Sequence, residues 1–289
     1  MKPVRLGIDK LFLLLAISAM SFSCAVARAA VAGDAQPGVS DPCSGPSALF
    51  SLIDRPTVGD SACGVPAGQT LLEAGVARYV PKAASGYSLG YPQLELRFGL
   101  RADNELALLP PNINRVVTPM PGGGNQIISG GSAAVAGLKH EFSYNSQWLW
   151  AGETLITLPS GSPDFGSAAT GYAINGIVND SVTPVFSLTL MLGATHLAAP
   201  SNIHSGAYYW SLNPDLVASW QTSESFQFYV EVYGQSHTGP DEGAGYNADG
   251  GVQYLLTPNV ELDAEIGRRL SGNLGGWVHY LGVGLAALF

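Results

Sequence analysis

Charge is scarce in this chain of 289 residues: only 12% of positions are Asp, Glu, Lys or Arg, about half the usual share of a soluble domain. Lysine and arginine together number 13 against 22 acids, so the formal charge is −9, which excludes a nucleic-acid partner. Cysteine occurs three times and histidine five times, and the scattered histidines form no zinc spacing with the cysteines, so neither a metal nor a cofactor is expected. Long apolar runs are also missing beyond Phe22, which excludes a transmembrane helix after that point although 46% of residues are hydrophobic. A chain that is apolar on average yet never continuously so must spread its apolar residues at alternate positions.

The N-terminus carries an address. Lys2, Arg5 and Lys10 precede the apolar stretch Leu11 to Phe22, and Ala27-Arg28-Ala29 offers a small-x-small cleavage site. Residues 1–29 are therefore expected to be a secretory signal peptide cleaved near Ala29; Cys24 lacks the aliphatic residue that precedes a lipidated cysteine. Removing the peptide leaves nine basic and twenty-one acidic residues. Cys43 and Cys63 then remain as an even pair in an oxidising compartment, where a disulfide between them is expected.

Residues 30–69 hold Pro, Gly, Ser and this cysteine pair without sustained alternation, and read as an N-terminal periplasmic segment. From residue 70 the period becomes two. Leu94, Leu96, Phe98 and Leu100 alternate with Gln93, Glu95, Arg97 and Arg101; Phe226, Phe228, Val230 and Val232 alternate with Gln227, Tyr229, Glu231 and Tyr233. Val260, Leu262, Ala264 and Ile266 stand in the same way against Glu261, Asp263 and Glu265, with Arg269 beyond them. The stretch near Trp148 alternates less cleanly.

Short polar breaks at 103–104, 145–146, 179–181, 222–225 and 257–259 interleave with longer Gly/Pro/Ser-rich ones at 81–88, 118–131, 159–166, 197–211, 237–248 and 271–275. Those connections predict about twelve antiparallel strands with both ends on one side, which is the layout of an all-β transmembrane barrel over residues 70–289. The final strand, with Leu281, Val283 and Leu285 on one face, ends on the aromatic Phe289. The expected location is the outer membrane of a Gram-negative bacterium. The expected partners are its lipids and the barrel-assembly machinery, which would engage the last strand at Phe289.

The order of motifs resembles the outer-membrane transporter family named after the MetA pathway of phenol degradation. The resemblance lies in Tyr91 to Leu100 with Glu105-Leu106, in Gly137-Leu138-Lys139-His140, and in Thr157 to Ser162. It is fullest in Asp249 to Tyr254, Thr257 to Asp263 and Gly267 to Ser271, and covers about Glu73 to Phe289. His140-Glu141 and Arg269 depart from the family pattern. The resemblance implies passage of small molecules, aromatic or hydrophobic compounds among them.

The alternation places Glu73, Glu95, Arg97, Arg101, Lys139, Glu141, Glu231, Glu261, Asp263, Glu265 and Arg269 on the lumen side. Two readings stay open. The charges line a watery pore and select solutes, or Arg97, Arg101 and Arg269 pair with Glu95, Glu261 and Glu265 and close the interior, leaving a structural or adhesive barrel. A third class, an outer-membrane lipid hydrolase, would need a Ser-His arrangement that neither His140 nor His279 displays; no catalysis is expected. Trp148, Trp150, Trp210, Trp220 and Trp277, with Tyr208 and Tyr209, read as interfacial girdle residues. His237, Asp241, Glu242 and Asp249 read as a solvated loop.

Overall fold

The structure, a computed structural model, describes residues 41–289 apart from 83–84, 102, 146 and 203. The expected signal peptide and its cleavage site lie outside the described residues.

Residue 70 opens a continuous antiparallel meander: β1 (Thr70–Pro81), β2 (Tyr87–Tyr91), β3 (Glu95–Gly99), β4 (Asn104–Leu109), β5 (Ile113–Pro119), β6 (Asn125–Gly131), β7 (Val135–Tyr144) and β8 (Trp148–Thr157). Next come β9 (Gly171–Thr183), β10 (Phe186–Ala198), β11 (Tyr208–Ser223), β12 (Phe226–Gln235), β13 (Gly245–Thr257), β14 (Val260–Ser271) and β15 (Trp277–Leu288). β15 returns to β1 with an unbroken register from Leu71↔Leu288 to Tyr79↔Tyr280, so the sheet has no edge around the ring. The ring contains twelve strands, β1, β3, β4 and β7 to β15. Closure satisfies the ring strands' backbone groups internally, the condition a membrane imposes.

β2, β5 and β6 carry the second to fourth ring strands past the barrel rim. Pro92, Pro110 and Pro111 stand at two of the breaks, where a residue without an N–H cannot hold the ladder. The stretch 118–131, expected as a loop, is thus mostly hairpin. Gly122, Gly123 and Gly124 turn it with φ of 95°, 99° and 83°, values that side chains resist. Another correction concerns 179–181, expected as a turn: these residues belong to β9, and the chain reverses at Pro184-Val185. Four other short turns fall where the sequence puts them, including Asp103, whose φ of 57° suits an aspartate.

The outward faces are apolar as the alternation requires: Val230, Leu262, Ile266, Leu281, Val283 and Leu285 are all exposed. Aromatic stacks flank this belt. Phe186, Trp220 and Phe228 stack near the short turns, and His196 lies against Tyr208 and Trp210 near the long loops, with ring centroids 4.5–5.2 Å apart. An apolar belt between aromatic girdles is the surface of a membrane barrel, with its short turns in the periplasm.

Residues 41–69 do not lie in the periplasm as the sequence suggested; they fold inside the barrel. Helix α1 (Ala48–Leu52) and the following chain bury Leu49, Phe50, Leu52, Ile53, Ala62 and Val65 against Leu71, Leu149, Ala151, Ile177, Met191, Leu255 and Ala286 of the wall. Cys43 and Cys63 are disulfide-bonded within this segment, as expected. The physical reason is plain: a segment with this much apolar surface, tied into a compact loop, gains by filling an apolar-lined cavity.

Candidate functional site in the lumen

The segment is clamped to the wall by buried ions. Arg97 on β3 is fully buried and points inward because Leu96 and Phe98 on either side face lipid. Its guanidinium takes Glu105 of β4 in a two-toothed grip, Nε–Oε1 2.7 Å and Nη2–Oε2 2.9 Å. Nη1 also reaches Glu73 at 3.2 Å and Asp54 at 3.1 Å, and donates to the Leu52 carbonyl, while Nη2 donates to that of Cys63 at 3.2 Å. One arginine thereby joins β1, β3 and β4 to both limbs of the inserted segment. Lys139 on β7 adds a second cation at 3.2 Å from Asp54 Oδ2.

Carboxylates of the wall hold the segment's backbone. Glu73 accepts from the N–H groups of Asp54 and Arg55 at 3.2 and 2.7 Å, and Glu231 from those of Val58 and Gly59 at 2.9 and 2.8 Å. Glu105 accepts from Val65 at 2.7 Å and Glu141 from Gly64 at 3.4 Å. Arg55 reaches the opposite wall, with Nη2 3.2 Å from Asp263 and 3.8 Å from Glu265. Glu265 and Asp249 share the Tyr280 hydroxyl, which lies 2.9 and 2.7 Å from them. Asp60 lies beside Glu153 and Asn175, whose amide donates to both carboxylates. Burial and repulsion from Glu153 push the Asp60 carboxyl well above its ordinary range.

Ten of the eleven lumen candidates face inward and one does not. Arg101 is exposed in the turn between β3 and β4, because the strand ends at Gly99 and the alternation no longer governs it. Among the described residues, the pairing of Arg97, Arg101 and Arg269 with Glu95, Glu261 and Glu265 is not found. Arg97 takes other acids, Arg269 donates to the Trp277 carbonyl at 3.1 Å, and Glu261 is fully buried with both oxygens unpartnered. Glu95 is half-buried, and a carboxylate oxygen of it lies within 4.8 Å of those of Asp54 and Glu73.

Sequence reasoning missed Asp54, Arg55, Asp60, Glu105, Glu153, Asp215 and Asp249. Asp249 does not belong to the His237 loop; it faces the lumen from β13. Trp277 is likewise no girdle residue. Its ring is buried against Tyr280 at 4.9 Å and Tyr79 at 6.1 Å.

Two cavities flank the clamp. On the turn side, about 340 Å³ lies between the inserted segment and β9 to β13, lined by Thr57, Asp60, Thr189, Gln227 and Tyr229 among others. On the loop side, about 470 Å³ is walled by Tyr79, Trp277, Phe165 and Val116 together with the amides of Gln93, Asn112 and Asn114. The first is mainly polar in its side chains, and the second combines aromatic faces with amide hydrogen-bonding groups.

Residues 53–285 match the model of the family described as "Putative MetA-pathway of phenol degradation". Comparison with curated proteins finds no match. Among solved structures, an outer-membrane channel from Pseudomonas putida F1 is similar over 81% of this chain and 100% of its own, at 13% identity and a TM-score of 0.62. The NanC porin (12% identity, 74% of this chain and 98% of its own) and the KdgM porin (11%, 75% and 99%) each give a TM-score of 0.48. The first of these likenesses bears on the fold: a closed twelve-stranded barrel.

Proposed function

The chain belongs to the family of the MetA pathway of phenol degradation, and from that premise we propose that it is an outer-membrane uptake protein through which small molecules, aromatic ones among them, pass down their gradient. The loop-side cavity carries this reading. Tyr79, Trp277 and Phe165 offer ring faces, and Asn112, Asn114 and Gln93 offer donors and acceptors, the combination that suits a small ring bearing a hydroxyl. In this reading the protein is a conduit without catalysis or cofactor. Its lumen charges, Glu73, Arg97, Lys139, Glu231 and Asp263 foremost, serve to seat the N-terminal segment rather than to form an open charged ring. Outer-membrane lipid contacts the apolar belt, and the assembly machinery engages the last strand at the exposed Phe289.

The opposing reading, a closed structural barrel, draws on the inserted segment itself. Uptake of a labelled phenol by intact cells separates the two. Cells making the protein should take it up faster than cells making none, and Trp277→Ala with Tyr79→Ala should remove the advantage while leaving the amount of folded barrel unchanged. Equal uptake with and without the protein would favour the closed barrel.

A further inference from the structure

After residue 29 the chain has nine lysines and arginines, and they are not spread evenly over the barrel. Arg55, Arg97, Lys139 and Arg269 serve the lumen, and Arg101 stands in a short turn. Strands β8 to β13 contain none. The other four, Arg78, Lys82, Arg115 and Arg268, are all exposed and gather on one sector of the wall, towards the long loops.

The alternation turns the three arginines outward. Arg78 stands between the fully buried Ala77 and Tyr79, which walls the loop-side cavity; Arg115 stands between Asn114 and Val116 of the same cavity; Arg268 stands between Gly267, packed on the Tyr280 ring, and the inward Arg269. The register joins them. Arg268 is paired with His279, which is also exposed, and His279 with Val80; Arg78, two residues before Val80, is paired with Leu89, and Leu89 with Arg115. Because β14, β15, β1, β2 and β5 are successive neighbours, the row spans four strand spacings, about 19 Å. Lys82 follows directly on β1, and its ammonium donates to the Gly272 carbonyl at 3.3 Å.

None of these cations is neutralised from within. Among the described residues no ion pair involves Arg78, Lys82, Arg115 or Arg268, although twenty-one acids follow residue 29. The Arg78 guanidinium lies 4.8 Å over the Tyr87 ring, a contact that orients the group and leaves its charge free. Cations on a lipid-facing wall are tolerated near the interface and disfavoured at mid-membrane. A row of them there, without acids, is complementary to an anion supplied by the membrane itself.

We propose that Arg78, Arg115 and Arg268, with Lys82 and His279, dock the phosphorylated glycolipid of the outer leaflet, lipopolysaccharide, through its sugar phosphates. A guanidinium meets a phosphate with two parallel N–H donors, a fit that gives geometry as well as charge. The acyl chains then lie on Val76, Ile266 and Leu281, exposed apolar residues of the same strands. The inference rests on the outer-membrane placement with the long loops outward, and not on uptake.

Diphosphorylated lipid A, the membrane anchor of that glycolipid, is the probe. Native mass spectrometry of the mature barrel folded in detergent should show saturable lipid A adducts, and dephosphorylated lipid A should bind at least tenfold more weakly. Arg78→Gln with Arg115→Gln and Arg268→Gln should weaken lipid A binding at least tenfold while the barrel keeps its heat-dependent electrophoretic shift; Arg101→Gln, in the short turn, should leave it intact. Equal binding by the triple variant, equal binding of the dephosphorylated lipid, or full displacement by an equal concentration of phosphatidylglycerol overturns the proposal. Should the triple variant fail to fold, diphosphorylated lipid A must still raise the melting temperature of the unmodified protein above that in the dephosphorylated lipid, and no difference means that the proposal is wrong. Binding is read on the purified protein, so its outcome is distinct from that of phenol uptake by cells.

Discussion

Arg97 offers the sharpest test of how the lumen is held together. Replacing it with methionine keeps most of the volume and removes the charge, leaving Glu105, Glu73 and Asp54 around an apolar stem. Lys139 lies 3.2 Å from Asp54 and 4.0 Å from Glu105, so it offsets roughly one of the three carboxylates. Taking one partner from a buried ion cluster costs about 3–5 kcal/mol. Because the same guanidinium grips the Leu52 and Cys63 carbonyls, much of this loss falls on the inserted segment rather than on the ring. A loss of about 3 kcal/mol corresponds to a change of roughly a hundredfold in an opening equilibrium. Hydrogen exchange of the amides in residues 48–65 should therefore accelerate by about two orders of magnitude in Arg97→Met, while those of β9 to β15 change little. The double variant with Asp54→Asn should recover part of that loss, since the amide no longer leaves an uncompensated charge. Unchanged exchange in 48–65 would refute the clamp.

Other expectations follow from single contacts. Cys43 and Cys63 close a loop of 20 residues, so loss of the bridge should destabilise the inserted segment by about 3 kcal/mol on chain-entropy grounds, read as faster exchange between them with the barrel's heat resistance retained. Gly267→Val should destabilise the barrel by about 1–3 kcal/mol in urea titrations, because a Cβ there meets the ring of Tyr280. Ile266 is 65% exposed on the lipid face midway along β14, so Ile266→Lys should cost about 2–4 kcal/mol, and Leu270→Lys near the strand end distinctly less. Asp60 has a raised folded pKa, so its seat is firmest below the unfolded carboxylate range and loosens as pH rises through the folded value. Asp60→Asn should therefore slow exchange of the neighbouring amides at neutral pH and flatten that dependence.

The ring was legible because lipid on one side and polar groups on the other leave a strict period of two, as in β12 and β14. The signal fades where the inner face is apolar too. Along β8, Leu149 and Ala151 point inward onto the inserted segment, so Trp148 and Trp150 have no polar counterpart and Glu153 goes unnoticed. β13 hides Asp249 for another reason, since Gly250 and Gly251 erase the pattern around it. The seat of residues 41–69 could not be read from spacing, because Arg55 finds Asp263 208 residues away and Val58 finds Glu231 173 away. A hint was present: Leu49, Phe50, Leu52 and Ile53 are too apolar for a strand of chain left in water.

The placement of the N-terminal segment inside the barrel is the claim on which the lumen account rests, and a cross-link tests it directly. A Cβ on Gly59 would lie 2.9 Å from Asp215 Cγ, close to the spacing between a Cβ and the far sulfur of a disulfide. Gly59→Cys with Asp215→Cys should form a bond spontaneously in the folded outer-membrane protein, identified by peptide mass, whereas Gly59→Cys with the outward-facing Leu216→Cys should not. Free thiols at 59 and 215, both open to a bulky maleimide from the turn side, would contradict it.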